Sequence, residues 1–207
     1  MRVLLINGSP HAKGCTYTAL KIVGDELERG GVETEIFHVG HKDIRGCIAC
    51  YKCRELGRCV FDKDIVNELA KKFEQADGLV IGSPVYFAGP NGTLTSLLDR
   101  LFFSTPFSKR FKVGSTVVSA RRAGTTTALD QLNKYFLHSE MPVVSSRYWN
   151  MVHGNSPEEV IKDEEGLQTM RVLGRNMAFL IHAIVAEYER GRLPETEPQR
   201  IATNFIR

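Results

Sequence analysis

At 207 residues, 43% of them apolar and 25% charged, the chain has the make-up of one globular domain with a full core. Its formal net charge of +3, with no block of Arg or Lys, argues against a nucleic-acid surface, and no apolar run approaches the roughly twenty residues of a membrane helix. The first residues enter a strand without a signal-peptide progression, so a cytoplasmic protein with its five cysteines reduced is expected.

The chain opens on Val3-Leu4-Leu5-Ile6-Asn7, a short branched run that predicts a buried strand. Gly8 to Thr18 is a turn of glycine, proline and small hydroxyl residues, and an amphipathic helix over 16–29 follows it, stopped by Gly30-Gly31. A strand that turns sharply into a helix leaves the first helical N–H groups unpaired, which attracts a phosphate. Ser9, Thr16 and Thr18 add hydroxyl donors, although a plain strand-to-helix turn would use the same residue types. Residues 32–39 alternate as a half-solvated edge strand. A cysteine-bearing loop, 40–62, leads to a helix over 65–75 capped by Asp62 or Asp64. A central strand over 76–82, a second small-residue loop over 83–92 and a helix over 93–103 come next. The fourth strand spans 113–119, the third loop 120–125, and a helix runs on to about His138. The fifth strand is expected over 141–145. The last helix is expected over 157–189 with a break near Gly166 or Gly174, ahead of a charged tail, 191–207, lying on the surface or on a partner subunit.

Strands alternating with helices give an α/β fold, a doubly wound parallel sheet of five strands in the order 2-1-3-4-5, with residues 1–190 as one domain. In that order ligands bind beyond the carboxyl ends of the strands at the switch point, where the loops after strands one, three and four converge. The first loop has neither Gly-x-Gly-x-x-Gly nor Walker spacing, so it suits one monophosphate. Tyr86 and Phe87 offer aromatic surface, unless they are plain core, and Pro84, Gly89, Gly92 and the backbone of 120–124 can approach a planar ring. Together these features predict FMN. Asp99-Arg100 reads as a structural ion pair, and no histidine takes a catalytic role.

Gly8-Ser9-Pro10 with Gly14-Cys15-Thr16, then Gly82-Ser83-Pro84-Val85-Tyr86, then Gly92-x-Leu94-x-x-Leu97-Leu98-Asp99-Arg100 resemble the NADPH-dependent FMN reductase branch of flavodoxin-like proteins over roughly residues 1–150. The resemblance implies a flavodoxin-like fold and a tightly held FMN. It puts phosphate contacts at Ser9, His11 and Thr16 and at the backbone of Gly14, Cys15 and Tyr17. It puts ring contacts at Pro84, Val85, Tyr86 and Phe87, and at Ser119, Arg121, Arg122 and Gly124. His11 stands where an arginine is common, which leaves the phosphate site less charged, and Thr95 where a lysine is common. Arg121 and Arg122, beside the expected N1–C2 edge, would favour the anionic reduced flavin; otherwise they are solvated or pair with Asp130 or Glu140.

Cys47, Cys50, Cys53 and Cys59 form a second signal, with two, two and five residues between them. Structural zinc usually takes two pairs held a dozen or more residues apart, whereas so compact a run suits one iron–sulfur cube, with free thiols or a reversible disulfide as the other use. Gly46 and Gly57 let the loop wrap, and Arg45, Lys52, Arg54 and Arg58 offset thiolate charge. The run also resembles the cysteine motif of the iron–sulfur flavoproteins, which implies a [4Fe–4S] cluster on all four. Cys15 reads as a packing residue. The expected activity is an FMN oxidoreductase moving electrons between NAD(P)H or a reduced carrier and a quinone, flavin or other small acceptor; the alternative is an electron-transfer flavoprotein without turnover. The resemblance implies a homodimer or homotetramer, with the aromatic stretch near Tyr148 as one contact.

Overall fold

The computed structural model describes residues 1–197, 201 and 203. Its strands are β1 (Arg2–Asn7), β2 (Glu33–His38), β3 (Gly78–Tyr86), β4 (Gly89–Pro90), β5 (Val113–Ala120) and β6 (Met151–His153). Its helices are α1 (Cys15–Arg29), α2 (Cys53–Leu56), α3 (Val66–Glu74), α4 (Gly92–Ser104), α5 (Thr125–Leu137), α6 (Pro157–Val160) and α7 (Glu164–Glu189).

The sheet runs β2-β1-β3-β5-β6, every neighbouring pair parallel, with β4 folded back antiparallel on β3. This is the doubly wound order. Period-two alternation divides the strands between two cores. Leu4, Ile6, Leu79 and Ile81 face α3, α4 and α5, while Val3, Leu5, Val80 and Val117 face α1 and α7. The continuous apolar runs of β1 and β3 are those of strands covered on both faces. Gly174 permits the close contact of α7 with α1, because a Cβ there would stand 2.6 Å from Glu26 Cβ and 2.8 Å from the Val23 carbonyl oxygen.

Several expectations change, and in place of the loop expected over 83–92 β3 runs on to Tyr86 and turns back as β4. The fifth strand is Met151–His153, paired with Val118–Ala120, and 141–145 contributes a single bridge between Val143 and Gly114. Pro142 lacks the N–H that a ladder needs, so the run around it cannot continue as a strand. The last helix is interrupted at 161–163 and passes unbroken through Gly166 and Gly174. Asp163 restarts it, its side chain accepting from Gly166 N–H at 2.9 Å. The cysteine loop carries the short helix α2, ended by Gly57 at φ +64°. The tail expected on a surface or partner lies partly outside the described residues. Among the described residues no helix is long and apolar enough to cross a membrane.

Candidate functional site

The first loop is fixed from beneath by Asn7, the last residue of β1. Asn7 Oδ1 accepts from Ser9 N–H at 3.1 Å, and Asn7 Nδ2 donates to the Ala12 carbonyl at 3.2 Å. Ser9 Oγ accepts from His11 N–H at 3.1 Å, and His38 Nε2 contacts the Ser9 carbonyl at 2.9 Å. Gly14 is the N-cap of α1 and supplies no side-chain cap. The first helical bond is Thr18 N–H to Gly14 O at 3.0 Å, so the amides of Cys15, Thr16 and Tyr17 precede it and are free of intrahelical partners. A hollow of about 610 Å³ lies over this loop, bounded also by His41 and Asn155-Ser156. That is a size within the range of ligand clefts.

The three loops are tied together at the carboxyl end of the sheet. Gly8 N–H donates to Gly82 O at 2.9 Å. Thr16, fully buried, shares a 2.8 Å hydrogen bond between its Oγ1 and Ser119 Oγ. The Thr16 hydroxyl therefore braces loop one against β5, while Ser9 Oγ keeps its O–H free to donate. Ser83 Oγ accepts from Asn91 N–H at 3.0 Å, and Asn91 caps α4 by accepting from Leu94 N–H at 3.1 Å.

Pro84 and Val85 are half-buried, whereas Tyr86 is exposed and Phe87 entirely so; the aromatic pair is not core. Tyr86 pairs with Gly89, so Phe87 and Ala88 form a two-residue hairpin with φ of +49° and +60°. Positive φ at both central positions matches the twist of the flanking strands and strains non-glycine residues. Gly124, at φ +89°, seats the third loop against this hairpin: a Cβ on it would lie 2.7 Å from Ala88 Cα. Arg121 and Arg122 are exposed, and Glu140, one partner considered for them, takes Arg110 at 2.9 Å. Cys15 Sγ faces Gly154 O at 3.7 Å, and burial, with Glu159 and Glu158 nearby, raises its pKa above 9.0 against the opposing pull of a backbone hydrogen bond. It is an uncharged thiol at neutral pH.

The cysteine loop is built differently. Cys47, Cys50, Cys53 and Cys59 line one cleft with Tyr51, Phe61, Phe103, Arg100 and Ser104. Cys47 and Cys50 are exposed, Cys53 is half-buried and Cys59 is buried. Ala49 and Tyr51 take φ of +50° and +56° on either side of Cys50. Asn67 of α3 clamps Cys59, its Oδ1 accepting from Cys59 N–H at 3.1 Å and its Nδ2 donating to Cys59 O at 3.0 Å. Arg100, only 1% exposed, does not pair with Asp99, which accepts instead from Tyr135 Oη at 2.6 Å. Arg100 binds Asp64 with both guanidinium NH groups, donates to Phe61 O at 3.1 Å and Arg45 O at 3.3 Å, and places Nε 3.2 Å from Cys59 Sγ. Burial works against its charge, but the bonds to Asp64 and Cys59 outweigh this and raise its pKa.

Among the described residues no three His, Cys, Asp or Glu gather as a single metal ion requires. A cubane sets each thiolate on a different iron, so its ligands stand around a wall rather than converging on one point. Four thiols and a buried cation around one cleft suit that demand. Although the loop leaves β2 at the carboxyl end, the cleft lies on the last turns of α4. Arg100 and Ser104 are eight and twelve residues past Gly92, about 12 and 18 Å along the helix from the end at the three converging loops.

Asn7, His38, Asn67 and Ser104 carry no signal in the sequence: Asn67, eight positions after Cys59, is one polar residue among several on an amphipathic helix.

The sequence pattern of a family described as NADPH-dependent FMN reductase matches residues 1–156. An iron–sulfur flavoprotein of Methanocaldococcus jannaschii is 35% identical over 195 residues, covering 89% of this chain and 99% of its own. An FMN reductase (NADPH) of Escherichia coli is 27% identical over 129 residues, 62% of this chain and 60% of its own. A flavodoxin from the domain Archaea superposes with a TM-score of 0.61 at 14% identity, covering 88% of this chain and 99% of that one, a likeness of fold.

Proposed function

The chain belongs to the NADPH-dependent FMN reductase family, and we propose that it is an FMN oxidoreductase that also carries a [4Fe–4S] cluster on its cysteine loop. It would move electrons between NAD(P)H or a reduced carrier and a quinone, flavin or other small acceptor. The observation that carries this reading is the convergence of the three loops on the uncapped start of α1, held by the Gly8–Gly82 and Thr16–Ser119 bonds.

The residues present fit FMN. The amides of Cys15, Thr16 and Tyr17, with Ser9 Oγ, make an anion cradle for its phosphate. Pro84 to Phe87 and Ser119 to Gly124 would border its ring, and Gly124 keeps the two loops close enough to share it. Lys13, exposed over the same hollow, adds the positive charge that the absent arginine would have supplied, and the His11 ring beside it can donate a hydrogen bond. FMN supplies the exchange between two-electron donors and one-electron carriers, and the protein's part is to bind it, orient it and set its surroundings. Cys47, Cys50, Cys53 and Cys59 would hold the cluster, which supplies single-electron exchange.

A reducing compartment such as the cytoplasm suits four such thiols. Exposed Tyr148 and Trp149, edge to face at 4.8 Å, support assembly as a homodimer or homotetramer. The relatives' names as iron–sulfur flavoproteins favour a second reading, a carrier without turnover. Steady-state oxidation of NADPH and NADH by the FMN-loaded protein with quinone acceptors separates the two. Turnover that saturates in both substrates is expected. Reduction by dithionite or a reduced ferredoxin with no NAD(P)H oxidation would favour the carrier.

A further inference from the structure

One face of α4 ends in two polar residues one turn apart, Arg100 and Ser104, both lining the cysteine cleft. Arg100 places Nε at 3.2 Å from Cys59 Sγ, a donor–sulfur hydrogen bond inside the protein. Ser104 is 6% exposed, and its Oγ is buried with no hydrogen-bond partner among the described residues. Its neighbour Thr105 shows how a hydroxyl at this position ordinarily satisfies itself, donating to the Leu101 carbonyl at 2.8 Å. Ser104 makes no such bond. A buried donor left unpaired costs free energy, so its persistence beside four thiols points to an acceptor that belongs in the cleft. The other walls are Ile48, Tyr51, Val60, Phe61 and Phe103, whose side chains there offer no competing carboxylate.

We propose that Arg100 and Ser104 form a hydrogen-bonding shelf for the cluster's sulfur atoms and set its reduction potential. This rests on the reading that the four cysteines hold a [4Fe–4S] cluster. Arg100 donates to the Cys59 thiolate and Ser104 to a cluster or cysteine sulfur. Reduction adds one electron and breaks no bond, so the extra negative charge falls on iron and sulfur. Donors and a cation aimed at those sulfurs favour the reduced state and raise the potential. Asp64 fixes the orientation of Arg100: its carboxylate occupies both guanidinium NH groups and leaves Nε directed at Cys59. Arg100 and Ser104 are thus positioning residues, fixed on a helix while the ligands sit on a loop.

The test is an anaerobic redox titration of wild type, Ser104→Ala and Arg100→Lys, each reconstituted with iron, sulfide and FMN and assayed for all three. Ser104→Ala is expected to keep its iron, sulfide and FMN, and its cluster should be reduced about three- to tenfold less favourably, the latter equal to about 59 mV for one electron. Arg100→Lys keeps the charge but loses the planar fork, and its cluster should also shift to lower potential. The flavin potential should stay put in both. A cluster potential unmoved in Ser104→Ala overturns the proposal, even where Arg100→Lys loses its cluster by misfolding. A wild-type protein that takes up FMN but no iron overturns the cluster reading itself, and the shelf with it.

Discussion

The phosphate loop and the cysteine loop both leave the carboxyl end of the sheet, yet they are held by opposite means. The first is fixed by the residues that border it: the Asn7 side chain spans it, the Gly8 amide is tied to β3, and the Thr16 hydroxyl to β5. The second has little regular structure beyond α2, and its anchor is side chains from other elements, Asn67 of α3 and Arg100 of α4. A loop that must offer amides to a phosphate is served by preset backbone. If the second loop offers four thiolates, as proposed, reach and a buried cation would serve it. Two loops anchored so differently can therefore fail independently.

The largest expected effect comes from Arg100→Leu. It strands Asp64, and breaking such a buried pair costs about 3–5 kcal/mol. Urea unfolding should show that loss, while FMN affinity of the folded fraction stays within about threefold, because the phosphate loop does not use Arg100. A large fall in FMN affinity would erase the distinction between the loops. Gly124→Val acts on the other site. It places a branched Cβ at φ +89° against Ala88 and should weaken FMN binding about tenfold or more by fluorescence titration, leaving iron content unchanged. Thr16→Val removes the bond to Ser119 and should lower stability by about 1 kcal/mol, with equal values for wild type and variant counting against the brace.

The smallest effect is Cys15. Its pKa is raised above 9.0, chiefly by burial, so the folded state holds the proton longer than the unfolded chain. The stability this contributes is complete below pH 9.0 and is lost as pH rises through the folded value. The pH–rate profile for alkylation of Cys15 by iodoacetamide should therefore have its midpoint above that of the same cysteine in the unfolded chain; a midpoint at or below 9.0 would contradict the burial argument.

The sheet order and the three-loop site were legible because they rest on local rules: branched runs for strands, glycine and small residues for turns. The fifth strand was misplaced because 141–145 has strand composition, and only Pro142 and the longer path to Val118–Ala120 decide against it. The partner of Arg100 was misread for a different reason. Adjacent Asp99 and Arg100 look like a pair in sequence, but successive residues on a helix point about 100° apart, and Arg100 turns inward to Asp64. Asn7 and Asn67 carry no motif; their roles exist only once the elements that they bridge are side by side.

One chain is proposed to hold FMN on a preset loop and a [4Fe–4S] cluster on the loop beside it. The anaerobic absorption spectrum of the purified protein, with iron, sulfide and flavin assayed on the same sample, tests it most directly. Flavin bands over a broad visible shoulder that bleaches with dithionite are expected, with four irons per flavin as a [4Fe–4S] site requires. Flavin bands alone, with no iron retained after anaerobic reconstitution, would contradict the claim for the cysteine loop. A colourless protein that takes up no FMN would contradict it for both.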